Sequence, residues 1–391
     1  MMAWFAVGAA AAMLAVVMGM LVNGLTAFFI PMEQAQGWTR ADVAVINSSG
    51  LIGLALGSVV MGYVADRLSI RVVCLIAVST TGLCLVAASQ AQSLWTLYAV
   101  FFLAGALGGG TLFAPIFACV GNWFPKAVGV AIGVAAAGQA IGQGGVPFLA
   151  AWLIESLGWR GAMLALGCAT LVILLPLANR MRQPPEAAVA SFPEPGIRPA
   201  LAVPMLSAAV FFCCTCMAVP LMHLMPLMQS FCISSTDAGG VMFAMLLAAI
   251  GGRIAYGKLC DLIGATRSWF VASFLQTAGV LAFVQFGTQR EFLVFSVVYG
   301  FAYAGVMTSL LVTTRALTPA RNKATWMGIV LSFAWLGHAF GGFQGAFSYD
   351  LTAGYGAGFA VGALAGAGNM VLVGMLIRLT RPNARPPAFA V

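Results

Sequence analysis

Charged side chains are scarce in this chain. Only 7% of its 391 residues are Asp, Glu, Lys or Arg, and just 10 are acidic. Soluble domains carry about 25% charged residues. A water-soluble fold could not cover its surface with so few charges, and 62% of the residues are hydrophobic. The composition therefore excludes soluble proteins and predicts an integral membrane protein.

Paired cysteine spacings are absent as well. The nine cysteines lie inside apolar runs, and none has the loop spacing of a disulfide framework or a zinc site. We expect them to be small buried hydrophobic side chains. The apolar N-terminus contains no basic region, so we expect residues 1–32 to form a first transmembrane helix and not a cleaved signal.

Catalytic constellations and soluble domains are also lacking, so we expect no enzyme activity. The stretch GRIAYGKL (252–259) comes near the phosphate-loop pattern Gly-x4-Gly-Lys. However, Leu259 occupies the position of the Ser or Thr that holds magnesium, and no strand precedes the stretch. The sequence therefore predicts no nucleotide site, no other cofactor and no metal site.

Long uncharged runs, in contrast, are abundant. A helix needs about 20 apolar residues to cross a bilayer. Nine uncharged windows have that size, and the run 72–125 is long enough for two spans separated by the polar SQAQS at 89–93. The run 238–257 adds one more, which only Arg253 interrupts. The sequence therefore predicts an all-α integral membrane protein with twelve transmembrane helices.

Basic residues fall mainly on one side of these spans. With both termini in the cytoplasm, fourteen Lys and Arg residues lie on the inside loops and tail, against only Arg40, Arg160 and Arg290 outside. Because cytoplasmic loops are enriched in Lys and Arg, we expect a multi-pass protein of the plasma or inner membrane with both termini cytoplasmic. The net charge of +8 then indicates topology and contact with anionic lipid, and predicts no nucleic-acid partner.

A proline-rich segment separates two similar halves. We predict an N-terminal six-helix half over 1–180, a cytoplasmic linker over 181–203 and a C-terminal six-helix half over 204–391. GYVAD (62–66) and GKLCD (257–261) both read G-x-x-x-D, lie 195 residues apart and each follow an even-numbered span. Two parallel six-helix pseudo-repeats with a site at their interface are a transporter architecture.

These motifs resemble those of the major facilitator superfamily. Its signature between spans 2 and 3 is similar to GYVADRLSIR, although Ser69 replaces the usual Gly, and a second copy reads GKLCDLIGATR. The matching positions are Gly62, Asp66, Arg67 and Arg71 in the first copy and Gly257, Asp261 and Arg267 in the second. From the resemblance we interpret them as gates of conformational change, since Gly permits close helix contact and a carboxylate can face the N-terminus of a neighbouring helix.

Within the superfamily, the chain is similar to the monocarboxylate transporter and oxalate:formate antiporter branch. The matching pieces lie in both halves and include NWFPKAVGVAIGVAAAG (122–138), LGWRGA (157–162) and SYDLTAGYGAGF (348–359). The resemblance implies the major facilitator fold and a carrier of small organic acids.

Arg253 is the candidate substrate ligand. It precedes Asp261 by eight residues, about 12 Å along a helix, which places it near mid-bilayer. No acidic residue lies at similar depth, so the sequence offers no internal salt bridge. A guanidinium binds a carboxylate through two parallel hydrogen bonds, and the resemblance implies that role for the arginine four residues before Gly257. The alternative is an arginine satisfied by backbone carbonyls and side-chain amides.

Uncharged polar side chains at membrane depth supply further candidates. Gln139 and Gln143 are one helical turn apart, and Tyr299 and Tyr303 have the same spacing. For each pair, lining the cavity and packing between helices are both open. Asn23 in the first span is also a candidate, at a position where many monocarboxylate carriers have Lys.

His223 lies between Pro220 and Pro226 in the seventh span, where the prolines free backbone carbonyls near a cavity. It could carry a proton near neutral pH, or it could simply hydrogen-bond a neighbouring helix. By the resemblance, Trp335 stands where the oxalate antiporter has a second cation, and Ala249 stands where many relatives have an acid. Neither a proton-coupling acid nor a second cation is therefore expected in this chain.

We hypothesise a secondary active transporter that moves a small organic monoanion, best fitted by a monocarboxylate, with Arg253 binding the substrate between the halves. A proton is a candidate co-substrate, and we expect the protein to function as a monomer in the lipid bilayer. Two alternatives remain open. One is an exporter of amphiphilic drugs in which Arg253 only organises the helices, and the other is a membrane sensor that binds organic acids without transporting them.

Overall fold

The computed structural model describes residues 2–124, 126–184, 197–319 and 321–380. Eleven helical segments in this part of the chain are long and apolar enough to cross a membrane. In chain order the helices are α1 (Met2–Gln36), α2 (Arg40–Ala65), α3 (Ile70–Gln90), α4 (Leu94–Trp123), α5 and α6 (together Val128–Asn179), α7 (Pro199–Ser230), α8 (Ser235–Ile263), α9 (Ala265–Gln285), α10 (Gln289–Leu317), α11 (Lys323–Thr352) and α12 (Gly356–Leu379).

The longest segment contains two of the predicted spans. It runs for 52 residues, which is about 78 Å of helix against a hydrocarbon core of about 30 Å. Gly158 interrupts it with φ 68° and ψ 169°, a conformation outside the helical region. Residues 128–157 therefore form α5 and residues 159–179 form α6. With this division the described residues contain the twelve spans that the hydropathy pattern predicts.

Polar side chains start five of these helices. Thr39, Ser69, Ser93, Ser234 and Thr288 each sit just before a first turn and accept a hydrogen bond from a backbone N–H of that turn. A side-chain cap of this kind satisfies one of the four N–H groups that have no partner within the helix. The short polar stretches between apolar runs are thus the local signals that divide the chain into spans.

The C-terminal bound of the predicted linker falls within a helix, and the domain boundaries stay a prediction. Helix α7 begins at Pro199, within the predicted range 181–203. Proline is compatible with the first turn of a helix, because that N–H has no intrahelical partner and the fixed φ matches helical geometry. Residues 185–196, which contain most of the predicted linker, lie outside the described residues.

Close contacts in the two halves repeat at the interval that the motifs predict. A methyl group built on Gly133 would lie 2.5 Å from the carbonyl oxygen of Arg253, and one built on Gly328 would lie 2.1 Å from that of Ser58. Gly328 follows Gly133 by 195 residues, and Arg253 follows Ser58 by the same number. The two six-helix pseudo-repeats therefore contact each other through equivalent positions, with α8 against α5 and α11 against α2.

Candidate functional site

Arg253 lies in α8 at the contact between the halves. Its side chain is only 2% exposed. Nη1 donates a hydrogen bond to Oε1 of Gln139 on α5 at 3.1 Å, while Nε is buried without a hydrogen-bond partner. Within the described residues, one neutral amide from the opposite half is thus the hydrogen-bonding acceptor for a guanidinium with five N–H donors.

The side chains around this pair are aromatic and uncharged. Tyr303 of α10 is 2% exposed and close enough to Arg253 to interact with it electrostatically. Tyr299 stacks on Tyr303 with ring centroids 5.6 Å apart, and its hydroxyl is buried without a hydrogen-bond partner. Gln139 and Tyr303, the described polar partners of the Arg253 guanidinium, carry no negative charge.

Trp335 of α11 contacts the opposite half through an aromatic pair. Its ring meets that of Phe113 on α4 edge to face, with centroids 5.4 Å apart. Both residues are buried, and the indole Nε1 of Trp335 has no hydrogen-bond partner in the described structure. Sequence reasoning did not single out Phe113, since a phenylalanine in an apolar run carries no distinguishing signal.

The remaining predicted site residues are not joined to Arg253 by any described contact. Gln143 is half-buried and has no described hydrogen bond, so the two glutamines are in different environments. Asn23 ends a π-helical stretch of α1, and its carbonyl accepts a hydrogen bond from Thr26 Oγ1 at 2.7 Å. Short π-helical stretches are frequent at functional sites. The role of each residue stays a prediction.

His223 hydrogen-bonds a neighbouring helix. Its Nε2 lies 2.9 Å from the carbonyl oxygen of Gly342 on α11, so Nε2 is the donor in this contact. The imidazole ring also fills the space beside Gly345. A methyl group added to Gly345 would lie 2.4 Å from the ring atoms of His223. A role in carrying a proton stays a prediction, as does the reading in which this hydrogen bond is all that His223 provides.

The two predicted gating carboxylates each bind the first turn of a helix in the other half. Asp66 accepts hydrogen bonds from the backbone N–H groups of Ala324 and Thr325, at 2.9 and 2.8 Å, at the start of α11. Asp261 accepts bonds from the N–H groups of Gly129 and Val130, at 2.7 and 3.1 Å, at the start of α5. The positive end of a helix stabilises a carboxylate placed there.

Both of these contacts, which we call the clasps, lie at the ends of α2 and α8 that are predicted to be cytoplasmic. The glycines of the two motifs permit them. A methyl group on Gly62 would lie 2.7 Å from the carbonyl oxygen of Ala324, and one on Gly257 would lie 2.4 Å from that of Gly129. The halves are therefore closed against each other on this side of Arg253.

The basic residues of the same motifs make different contacts. Arg67 lies over the ring of Tyr63, with Cζ 3.5 Å from the centroid, and donates to the carbonyl oxygen of Tyr63 at 3.0 Å. Arg71 hydrogen-bonds the side chain of Asn179 in its own half, and Arg267 is exposed. Their gating roles stay predictions, and no described contact takes any of the three across to the opposite half.

A profile of the Major Facilitator Superfamily matches residues 11–219 and 204–390 of this sequence. The match covers both halves, in keeping with the repeated contacts of the structure. The chain belongs to the major facilitator superfamily. It is a multi-pass membrane transporter of that superfamily, as the motifs predict.

Relatives of known name extend this result. The "Monocarboxylate transporter 13" of Rattus norvegicus is 25% identical over 97% of this chain and 89% of its own length. The "Fujikurins efflux protein" of Gibberella fujikuroi is 24% identical over 79% of this chain and 68% of its own length. The "Gallate transporter" of Pseudomonas putida is 31% identical over 42% of this chain and 39% of its own length. The chain thus resembles the monocarboxylate transporter branch, as predicted.

A solved structure of the same superfamily supports the fold. The proton:xylose symporter XylE, bound to 6-bromo-6-deoxy-D-glucose, superposes with a TM-score of 0.79 at 12% sequence identity, over 96% of each chain. At this identity the likeness concerns the fold alone. The all-α fold with twelve helices in two halves is thereby confirmed for this major facilitator chain.

One further contact between the halves of this superfamily member was missed by sequence reasoning. Arg315, near the end of α10, is 3% exposed, and its Nη2 donates to Oδ1 of Asn122 on α4 at 2.5 Å. Gly121 makes room for it, because a methyl group there would lie 2.1 Å from Arg315 Nε. The charge pattern assigned Arg315 to a loop, and no local signal indicates that its side chain turns inward.

Proposed function

We propose that this transporter moves a small organic monoanion, best fitted by a monocarboxylate, by alternating access. The observation that carries the proposal is the buried guanidinium of Arg253, whose described hydrogen bond goes to the neutral amide of Gln139. An arginine at mid-bilayer costs on the order of 2.5–3.5 kcal/mol by insertion scales. A carboxylate that replaces the amide oxygen offsets this cost, because charge-assisted hydrogen bonds are about twice as strong as neutral ones.

The contact between Arg253 and Gln139 also links binding to movement. Arg253 belongs to the C-terminal half and Gln139 to the N-terminal half, so the hydrogen bond joins them while the clasps are closed. A substrate carboxylate that takes the guanidinium releases Gln139 and weakens the closed contact. A ligand shifts a conformational equilibrium only by its differential affinity for the two states, and this exchange of partners supplies such a difference.

The names of the relatives support two candidate functions. A monocarboxylate transporter and a gallate transporter are among them, which favours an organic-acid substrate. An efflux protein is also among them, which favours the second candidate, export of an amphiphilic compound. A buried cation is costly in a site for neutral amphiphiles, so we favour the organic acid.

The charge of the substrate is the first test. A monocarboxylate neutralises the single positive charge of Arg253. A dicarboxylate leaves its second carboxylate unpaired, and partial desolvation of that charge costs several kcal/mol. Proteoliposomes should therefore take up lactate or benzoate at least tenfold better than oxalate or succinate, which corresponds to about 1.4 kcal/mol. Trp335→Lys should narrow this preference, because it adds the cation that a second carboxylate needs.

Trp335→Phe is the matched control for that substitution. It keeps an aromatic ring against Phe113 and adds no charge, so it should retain the preference for monoacids. The proposal is wrong if the wild-type protein carries oxalate or succinate as well as it carries lactate or benzoate. Resistance to amphiphilic compounds in cells, without any uptake of organic acids, would instead support export.

We also propose that both termini and the linker are cytoplasmic, on the basis of the uneven loop charges. On a background without the nine native cysteines, a membrane-impermeant thiol reagent applied from outside should label Gln92→Cys and leave Ala190→Cys unlabelled. Gln92 lies in the described loop between α3 and α4, whereas Ala190 lies outside the described residues. Permeabilised cells provide the control, since both positions should then react. External labelling at position 190 alone would reverse the orientation.

A further inference from the structure

A cavity of about 590 Å³ lies away from the contact between the halves, where the start of α1 meets the start of α3 and the end of α6. Three arginines line it, namely Arg71, Arg180 and Arg182, together with the apolar side chains of Met2 and Phe5. This cavity lies in the N-terminal half and the first residues of the predicted linker, and it contains none of the substrate-site candidates. We call it the α1–α3–α6 cavity.

The described lining of this cavity carries a net positive charge. No acidic side chain is among the residues that line it. Arg71 is held in place by a hydrogen bond to the side chain of Asn179, and Arg180 and Arg182 are exposed. Like charges that share one cavity repel each other, so a group with negative charge stabilises the arrangement.

The start of α3 adds to the positive potential. Ser69 lines the cavity and caps this helix, accepting a hydrogen bond from the N–H of Val72 at 3.4 Å. The N–H groups of the first turn and the helix dipole favour an anion at this place. The arginines and the helix start together form a cationic wall with several hydrogen-bond donors, which suits the oxygens of a phosphate group.

An apolar edge borders this wall. Met2 is 55% exposed and Phe5 is 38% exposed, and the two lie one helical turn apart on the same face of α1. A soluble anion would leave both side chains uncovered. An amphiphile whose anionic head meets the arginines and whose apolar part lies along α1 would cover them, and a bilayer supplies molecules of this form at the membrane surface.

We propose that the α1–α3–α6 cavity binds the phosphate headgroup of an anionic glycerophospholipid from the cytoplasmic leaflet, with its glycerol and first acyl carbons against Met2 and Phe5. Basic pockets between membrane helices on the cytoplasmic side are known to bind anionic lipid headgroups. The site is independent of the substrate site, so its failure would leave the proposed transport function unaffected.

The test compares lipid retention by two double variants. Arg180→Gln/Arg182→Gln removes two charges from the cavity, while Arg321→Gln/Arg378→Gln removes two exposed charges elsewhere on the predicted cytoplasmic side. The proteins are purified in detergent with equal amounts of phosphatidylglycerol and phosphatidylcholine, and bound lipid is counted by native mass spectrometry. The wild type and Arg321→Gln/Arg378→Gln should retain at least ten times more phosphatidylglycerol than phosphatidylcholine. Arg180→Gln/Arg182→Gln, the cavity variant, should retain the two lipids about equally.

Two added measurements keep the result decisive. A phosphatidylglycerol with a photoreactive group near its phosphate should cross-link to peptides that contain residues 2–5 or 179–183, even if the cavity variant expresses poorly. Millimolar inorganic phosphate or glycerol 3-phosphate should not displace the lipid. An equal lipid excess in both double variants, or cross-links only to other helices, would overturn the proposal. Displacement by inorganic phosphate would also overturn it, because the cavity would then be a site for free anions.

Discussion

Arg253→Lys is expected to reduce transport of the preferred monocarboxylate at least tenfold while the protein still inserts and folds. Lysine keeps the positive charge but offers a compact ammonium in place of the planar guanidinium that can bind a carboxylate through two parallel hydrogen bonds. Hydrogen bonds to charged groups contribute about 1.5–3 kcal/mol each, so the loss of one is enough for the expected effect. Initial rates of uptake into proteoliposomes measure it.

Arg378→Lys is the matched control for this substitution. Arg378 lies in the last turn of α12 and is exposed, so the same chemical change there should leave uptake within about twofold of the wild type. Both variants should have the circular dichroism spectrum of the wild type and should elute from size-exclusion chromatography as a single species. Near-normal uptake by Arg253→Lys would show that the planar pair of guanidinium donors is not needed, and would contradict the proposed two-point binding of the carboxylate.

Gly133→Ala should open the contact between the halves on the side of the clasps and lower transport at least tenfold. The added methyl carbon would lie 2.5 Å from the carbonyl oxygen of Arg253, whereas carbon and oxygen in contact stay about 3.3 Å apart or more. Both atoms belong to backbone or are fixed to it, so α5 and α8 must separate. Distances between spin labels placed at the end of α2 and at the start of α11, where Asp66 makes its contact, should lengthen.

Gly145→Ala provides the control in the same helix. No atom lies within 4 Å of a methyl group at Gly145, and alanine favours a helix over glycine by about 1 kcal/mol. Gly145→Ala should transport at the wild-type rate and keep the wild-type distances between the spin labels. Gly328→Ala, the equivalent of Gly133→Ala in the other half, should repeat its effect. Wild-type distances and normal uptake in both Gly133→Ala and Gly328→Ala would show that the contact is not a gate.

The sequence predicted the spans and the repeat, for a physical reason. In lipid each helix must satisfy its own backbone hydrogen bonds, so apolar runs of sufficient length have one structural solution. Even the joined segment Val128–Asn179 divides at the expected place, because Gly158 can adopt a backbone conformation that other residues avoid. The interval of 195 residues between motifs became the interval between equivalent contacts in the structure.

The sequence did not predict which polar side chains meet. Arg253 and Gln139 are 114 residues apart, and Arg315 and Asn122 are 193 apart. Such pairs depend on the depth and rotation of helices relative to each other, and these are set by packing, not by hydropathy. Gln139 and Gln143 show this directly, because the same residue type one turn apart bonds to Arg253 at one position only.

Each clasp joins a carboxylate to backbone N–H groups. This kind of contact determines how far the attraction between the halves reaches and how it depends on the residues at the helix starts. A charge and a dipole attract over a shorter distance than two opposite charges do, so the attraction fades once the halves have moved a few ångströms apart. We infer that an opened carrier is not pulled back from afar and can dwell in the opened form. Backbone donors are also present whatever the side chain, although Gly129 leaves no room for a methyl group and the Thr325 hydroxyl adds a side-chain hydrogen bond to Asp66. A one-residue insertion in either helix start, in contrast, would rotate those N–H groups by about 100° and release the clasp without altering a single side chain in it.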